Sequence, residues 1–287
     1  MSKQVVLVTG KNGQLGNELQ LLALQYPKFH FEFTDVEELD ITDKEKVDLF
    51  FSEYKPVACI NAAAYTAVDK AESDRELSMK INADAVGILA KNCSQYGSRF
   101  IHISTDYVFD GNATQPYQED YPVNPVNYYG LTKLKGEEQA MTHNPLSIIL
   151  RTSWVYSFFG KNFVKTMLHH MKEKESLNVV SDQYGSPTYA ADLAEVIMKI
   201  VVIPNAPAGI YNYSNEGNIS WLDFAIEIKN IAGLTCTINP VDTAGYPTPA
   251  KRPAYSVLNK RKIIETFNIK TIDWQISLKR CITMLLT

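Results

Sequence analysis

A short apolar run that ends in a glycine-spaced turn and passes straight into a helical repeat leaves a chain few folds to choose from. Val5-Val6-Leu7-Val8 has the unbroken, mostly β-branched character of a strand buried on both faces. Gly10-Lys11-Asn12-Gly13-Gln14-Leu15-Gly16 follows, and Leu15, Leu19 and Leu22 then fall at helical spacing. In a G-x-x-G-x-x-G turn of this kind the first glycine allows the tight reversal. The second lets backbone approach a pyrophosphate, and the third lets helix pack on strand. A pyrophosphate would meet the helix N-terminus, where free N–H groups and the helix dipole favour anions. A plain strand-to-helix turn would also use glycine. Because strand, loop and helix all stand where nucleotide binding needs them, the binding reading is preferred, and the seven residues from Gly10 to Gly16 become candidate cofactor contacts.

The same alternation continues. Phe29 to Thr34 reads as a second strand ending at Asp35. An acid about 20 residues beyond the glycines commonly bonds the adenosine ribose 2′-OH, which favours NAD. Lys11 inside the turn would instead meet a 2′-phosphate, so the two signals conflict and both NADPH and NADH stay open. Asp40-Ile41-Thr42-Asp43 caps a helix running to about Tyr54; Asp40 and Ile41 are expected to border the adenine, whereas Asp43 could be only a cap. Val57 to Asn61 is a third strand. Ala62, Ala63, Ala64 and Tyr65 after it are small enough, apart from the tyrosine, for backbone to lie against a cofactor, although alanines also mark tight packing. A helix is expected from Asn82 through Ala90 and Cys93, with the Asn82 amide tying it to the sheet.

Reactive side chains gather after the next strand, Phe100 to Ser104. Thr105, Asp106 and Tyr107 sit at its C-terminal end, where open α/β sheets place their ligands. Tyr129-Gly130-Leu131-Thr132-Lys133 then opens a helix, and Tyr129 and Lys133, four apart, share one face. A cation beside a phenol favours phenolate; bringing its pKa from about 10 to near 7 takes ~3 units, roughly 4 kcal/mol. The pair alone would fit an ordinary surface helix. Its company, Thr105 and the glycine turn, points to chemistry.

Beyond the strand Ser147 to Leu150 the alternation becomes ragged. Trp154 lies past a strand end, where it would stack on a flat ligand or simply pack. Gly160 to Val164, with Asn162, starts a helix to about Lys172, and Gly209 to Tyr213 returns as a sheet strand. Three prolines keep Tyr246 to Ser256 out of regular helix, and Lys251 and Arg252 there supply local positive charge for an anionic ligand. A closing helix from Trp274 to Leu286 turns Ile276, Leu278, Ile282 and Leu285 inward. The fold expected is α/β: a doubly wound parallel sheet with a smaller, discontinuous α/β substrate domain. Residues 1–150 form the dinucleotide-binding part, with returning segments near 177–213, and 151–287 are mainly the substrate part.

A net charge of −4 gives no electrostatic case for nucleic acid or anionic membrane. No apolar run approaches the ~20 residues of a membrane span, and Met1-Ser2-Lys3-Gln4 has no signal-peptide character, so a cytoplasmic location is expected. Four scattered cysteines form no C-x-x-C, and no Cys or carboxylate pattern is expected to complete a metal site at His169-His170, which reads as a solvated helix face.

Thr105, Tyr129 and Lys133 together resemble the Ser/Thr–Tyr–Lys site of the extended short-chain dehydrogenase/reductases, with their Rossmann sheet. Asn61 to Glu72, Ser104 to Gly111, Arg151 to Tyr156, Asp182 to Thr188 and Arg252 to Ser256 are similar to one branch, the dTDP-4-dehydrorhamnose reductases, and the likeness covers nearly the whole chain. It implies a nicotinamide cofactor, a dTDP-sugar substrate and reduction of a C4 ketone to give dTDP-L-rhamnose. It also implies Thr105, Tyr129 and Lys133 as the catalytic trio, Tyr129 and Lys133 touching the cofactor as well. Thr105, Asp106, Tyr107, Trp154, Asn162 and Arg252 are implied as substrate contacts. Some members dimerise through magnesium held by surface carboxylates; no local motif here requires it, so metal is unassigned and monomer and homodimer stay open. The alternatives are another nucleotide-sugar reductase, an epimerase using the same trio, or a non-catalytic NAD(P)-binding subunit like that of methionine adenosyltransferase. A dehydratase is disfavoured, because those enzymes follow the catalytic Thr with Asp-Glu and here Tyr107 takes the second place.

Overall fold

A computed structural model describes residues 3–286. Its central sheet contains β1 (Gln4–Thr9), β2 (Phe29–Thr34), β3 (Ala58–Asn61), β4 (Arg99–Thr105), β5 (Ile148–Thr152) and β6 (Gly209–Asn212). Their order is β2-β1-β3-β4-β5-β6, and every pairing is parallel. Strand order reverses between β1 and β3, and a ligand crevice opens beyond the C-terminal ends of the strands at such a point. The doubly wound parallel sheet expected from the sequence is the fold observed.

Helices α1 (Gln14–Ala23), α2 (Lys44–Tyr54), α3 (Ala85–Tyr96), α4 (Tyr128–His143), α5 (Phe163–Glu173), α6 (Ala190–Val202), α7 (Trp221–Ala232) and α8 (Trp274–Leu286) complete the frame used below. Successive strand residues serve opposite faces. Val6 and Val8 join Leu15 and Leu19 of α1 and Leu193 and Ile197 of α6 in one core. Leu7 turns to the other face, with Val47 and Phe51 of α2 and Leu89 and Cys93 of α3. Two apolar faces explain why the strands read as continuous apolar runs rather than as alternation.

The second half of the chain returns to this sheet through α6 and β6. Ser176–Val180, inside the segment expected to return, pairs instead with Thr237–Val241, away from the sheet. A separate core joins Val164 and Leu168 of α5, Phe224 and Ile228 of α7, and Leu278 and Ile282 of α8. In α8 Leu278 and Ile282 are buried with Cys281 and Leu285 packs against the same core, as expected, while Ile276 is exposed, a correction at that one position. Asp43 does cap α2, accepting from the backbone N–H groups of Glu45 and Lys46. The helix expected to open at Asn82 begins earlier, at Arg75, and passes through a π turn at Lys80–Asp84 into α3. Asn82 ties that turn not to the sheet but to the loop after β3 and to α4. Its Oδ1 accepts from Tyr65 N at 2.8 Å, and its Nδ2 donates to Tyr65 O and Thr132 Oγ1, both at 3.0 Å. Among the described residues no helix is long and apolar enough to cross a membrane.

Candidate active site

A cleft of about 990 Å³ opens over the C-terminal ends of the strands at the β1/β3 reversal. Its floor is made by the glycine turn. Gly10 has φ +74°, and a Cβ there would stand 2.7 Å from Ala63 N; a Cβ on Gly16 would stand 2.2 Å from the Gly10 carbonyl. Turn, helix and the Ala62–Ala64 loop therefore meet backbone to backbone, and Gly10, Asn12, Gly13, Gln14 and Leu15 line the cleft while Gly16 packs behind them. The Asp35 carboxylate, also lining, accepts from Asn12 N at 3.1 Å and Val36 N at 2.9 Å. Asp40 and Ile41 border the same end, with Asp40 Oδ1 accepting from the Thr42 N–H and hydroxyl.

Besides Gly16, four residues singled out from sequence lie off this wall. The Lys11 ammonium is paired with Glu38, so a 2′-phosphate would have to compete with a carboxylate that sequence reasoning did not consider. Tyr65 turns its hydroxyl to Asp74 at 2.6 Å. Asn162 caps α5 through Lys165 N and donates to Gln14 Oε1 at 2.8 Å, so it braces the glycine turn rather than reaching the cleft. Arg252 grips Asp69 with two bonds of 2.7 and 2.9 Å, fastening the proline-rich loop to the segment after β3. Conversely, Lys80, Lys161, Leu39 and Trp221 line the cleft and were missed.

At the other end stand Thr105, Asp106, Tyr107, Tyr129 and Lys133. Asn127 begins α4 by accepting from Gly130 N at 2.8 Å, and Gly130 lets the helix start close on the preceding turn, since a Cβ there would lie 2.1 Å from Tyr107 O. The Thr105 hydroxyl donates to Asp106 Oδ1 at 3.0 Å and accepts from Tyr107 N at 3.2 Å. Asp106 Oδ2 is buried without a well-formed bond, the Ser256 hydroxyl being near enough only to oppose the shift; burial pushes this carboxyl up to about 7. The Tyr107 and Tyr129 rings meet edge to face at 5.8 Å.

The charge state of the tyrosine differs from expectation. Burial first, then the nearby Asp106, push Tyr129 up to about 12, against a lowering contribution from the Thr105 hydroxyl. The buried Lys133 is not turned onto the phenol: its Nζ donates to the Ile103 carbonyl at 2.6 Å and lies 3.4 Å from His102 Nε2. Burial lowers it to about 8, with Glu137 opposing.

Trp154 holds φ +48°, a costly conformation for a bulky residue, and its ring stacks on Trp221 at 3.5 Å between centroids. Only glycine fits beneath it, because a Cβ on Gly185 would stand 2.6 Å from the indole. The two tryptophans make an apolar wall of the cleft.

The His169-His170 pair on α5 has the carboxylate of Glu173 beside it. One ligand atom each from His169, His170 and Glu173 lies within 4.8 Å of the others, on the exposed side of α5, and Glu173 pairs with His169 at 3.3 Å. Imidazole donors suit zinc or nickel rather than magnesium.

Residues 4–287 match the family model described as the RmlD substrate binding domain. A dTDP-4-dehydrorhamnose reductase of Aggregatibacter actinomycetemcomitans is 42% identical over 284 residues, covering 96% of this chain and 97% of the relative. The crystal structure of a dTDP-4-dehydrorhamnose reductase from Clostridium acetobutylicum, 43% identical, superposes with a TM-score of 0.95 over 99% of this chain and 100% of the other. The Bacillus anthracis dTDP-4-dehydrorhamnose reductase, solved in complex with NADP, is 37% identical with a TM-score of 0.94, over the same shares.

Proposed function

The chain belongs to the dTDP-4-dehydrorhamnose reductase family, and we propose that its cleft takes NADPH or NADH beside a dTDP-4-keto sugar, with Thr105, Tyr129 and Lys133 carrying the reduction. It is an NAD(P)H-dependent oxidoreductase that converts dTDP-4-dehydro-L-rhamnose to dTDP-L-rhamnose. The observation that carries the assignment of residues is one cleft with a glycine cradle at one end and a buried Thr–Tyr–Lys group at the other. The close backbone approach at Gly10 and Gly16, where a Cβ would strike the Ala63 or Gly10 backbone, holds strand, turn and helix tightly together beneath the cleft, as a dinucleotide-binding turn requires, and leaves Gly13 on its lining.

Gly10 to Leu15 and Ala62–Ala64 would hold the dinucleotide phosphates, Asp35 the adenosine ribose, and Lys133 with Tyr129 the nicotinamide end. The bound nicotinamide supplies the hydride that arrives at the sugar C4. Tyr129, protonated at neutral pH, gives its phenolic proton to the forming alkoxide at O4, and the Thr105 hydroxyl bonds the same oxygen. Asp106 and Tyr107 lie beside that point, and the Trp154–Trp221 wall supplies an apolar face for the sugar ring. Residues after β5 supply much of this side, which supports a division into a nucleotide-binding first half and a substrate-binding remainder.

Purified protein given NADPH and dTDP-4-dehydro-L-rhamnose should form dTDP-L-rhamnose with equimolar loss of reduced-nicotinamide absorbance, at roughly 1 s⁻¹ or faster. Isomerised sugar with no absorbance loss would replace the reductase reading by an epimerase one; cofactor binding without turnover would leave a regulatory subunit.

Both cofactors should be accepted, with kcat/KM differing by less than ~10³, since Asp35 repels a 2′-phosphate that a freed Lys11 would attract. Glu38→Gln removes the partner that holds Lys11. That variant should therefore gain on NADPH relative to NADH by several-fold; an unchanged ratio in steady-state kinetics would take Lys11 out of cofactor choice.

A further inference from the structure

His102 is a buried titratable group with no part in the reaction as described so far. It stands on β4 with its ring fully buried. Burial, and then the charge of Lys133, hold it well below the usual imidazole range, so the ring is neutral and carries one proton. The direction of a row of hydrogen bonds fixes where that proton sits. Ala63 N donates to Thr9 Oγ1 at 3.4 Å, and the Thr9 hydroxyl donates to Asn61 Oδ1 at 2.7 Å. The Asn61 amide nitrogen then faces His102 Nδ1 at 3.1 Å. An amide nitrogen only donates, so Nδ1 accepts and the proton is on Nε2. Nε2 in turn lies 3.4 Å from Lys133 Nζ. Every bond in the row points toward the lysine, and an amine has a lone pair to receive Nε2–H where an ammonium has none.

We propose that His102 is a positioning residue for Lys133: the row from Ala63 through Thr9 and Asn61 presents Nε2–H to the lysine nitrogen and stabilises the amine against the ammonium. The proposal rests on the reductase reading above. Because Nζ is turned to Ile103 and His102 rather than onto the phenol, Lys133 reloads Tyr129 through an intervening water after the phenol has given up its proton. An N–H bond of Lys133 breaks, the O–H bond of Tyr129 re-forms, and the lone pair left on Nζ accepts from His102. Water entering as product leaves returns the ammonium. The lowered pKa of Lys133, about 8, agrees with this balance. Glu137, one turn along α4, acts the other way and is itself held by Arg151 of β5, while the Ile103 carbonyl of β4 accepts from Nζ in either state. Tyr129 of α4, with Asp106 and Tyr107 beyond β4, are the other ionisable groups among the described residues at this end of the cleft.

Two measurements test it. In wild-type protein labelled with ¹⁵N-histidine, His102 should show a protonated Nε2 and an unprotonated Nδ1, unchanged from pH 6 to pH 9; the opposite tautomer would overturn the proposal without any variant. In the pH profile of kcat/KM, loss of the ammonium should bring activity down as pH rises through about 8. His102→Leu should move that alkaline limb up by about one pH unit, a tenfold change in the lysine equilibrium. His102→Gln, which retains an N–H, should leave the limb near its wild-type place. A limb that stays put in a folded His102→Leu protein, or moves equally in both variants, assigns His102 to packing alone. If wild-type protein reduces no keto-sugar, the reductase reading fails by itself, and the tautomer still decides which way the row of bonds points.

Discussion

Tyr129→Phe is expected to cut turnover by about 10²–10⁴-fold while leaving cofactor affinity near wild type. The substitution removes only the hydroxyl, and the ring that meets Tyr107 edge to face at 5.8 Å remains. The direction of the reaction explains why a pKa raised to about 12 serves it. Reduction of a ketone needs a group that is protonated before the hydride arrives, and a phenol with a high pKa is fully protonated at neutral pH. The alkoxide forming at O4 is more basic than the phenolate left behind, so the proton moves downhill once charge develops. A phenol already lowered to near 7 would suit the reverse reaction better, because oxidation of an alcohol needs a base. Stopped-flow absorbance at the reduced-nicotinamide band reads the chemical step, and a fluorescence titration reads cofactor affinity. Wild-type turnover in the phenylalanine variant would remove Tyr129 from the proton path; a large loss of cofactor affinity would make its role one of binding.

The parts of this molecule that were legible in the sequence are those written in short-range pattern. The strand–glycine–helix start, the apolar runs of β1 to β5 and the four-residue spacing of Tyr129 and Lys133 each need fewer than a dozen neighbouring residues to state. Parallel strands buried on two faces leave an apolar signature, and a ligand crevice follows from where their order reverses. Long-range partners leave no such trace. Lys11 meets Glu38, Asn162 meets Gln14 and Arg252 meets Asp69 across 27, 148 and 183 residues, and each pairing changes what its residue can do. Depth is equally silent. A lysine four residues from a tyrosine predicts a lowered phenol pKa only if both share solvent and each other; here the lysine turns to Ile103 and His102, and burial governs the tyrosine. The place of Trp221 on the cleft wall depends on the positive φ of Trp154 and on the missing side chain of Gly185, neither of which spacing announces.

Glu137→Gln should be the costliest single change in the layer beneath the site, at about 3–5 kcal/mol, because it leaves a buried guanidinium without its counter-charge. Glu137 and Arg151 are each only 3% exposed. Arg151 Nε and Nη2 reach the two carboxylate oxygens at 2.9 and 2.7 Å, and Ser104 donates to Oε1 at 2.5 Å, so the carboxylate joins α4, β4 and β5. Glutamine keeps the shape and one acceptor but not the charge. Two features moderate the loss: Arg151 also donates to the Glu119 carbonyl at 3.0 Å and lies over the Phe109 ring at 5.0 Å. The fall in Tm should be of the order of 10 °C for a chain this long. If the cost is the stranded charge and not lost packing, adding Arg151→Met should recover part of it, so the double variant costs less than the two singles summed. Simple additivity in thermal or denaturant unfolding would show instead that the two residues act independently. Catalysis offers a second reading of the same change. Glu137 is the group whose charge raises the pKa of Lys133, so its removal should move the alkaline limb of activity to lower pH, opposite to the shift expected from His102→Leu. Two substitutions on either side of one lysine, moving one limb in opposite directions, would tie the stability of this buried layer to the proton chemistry above it.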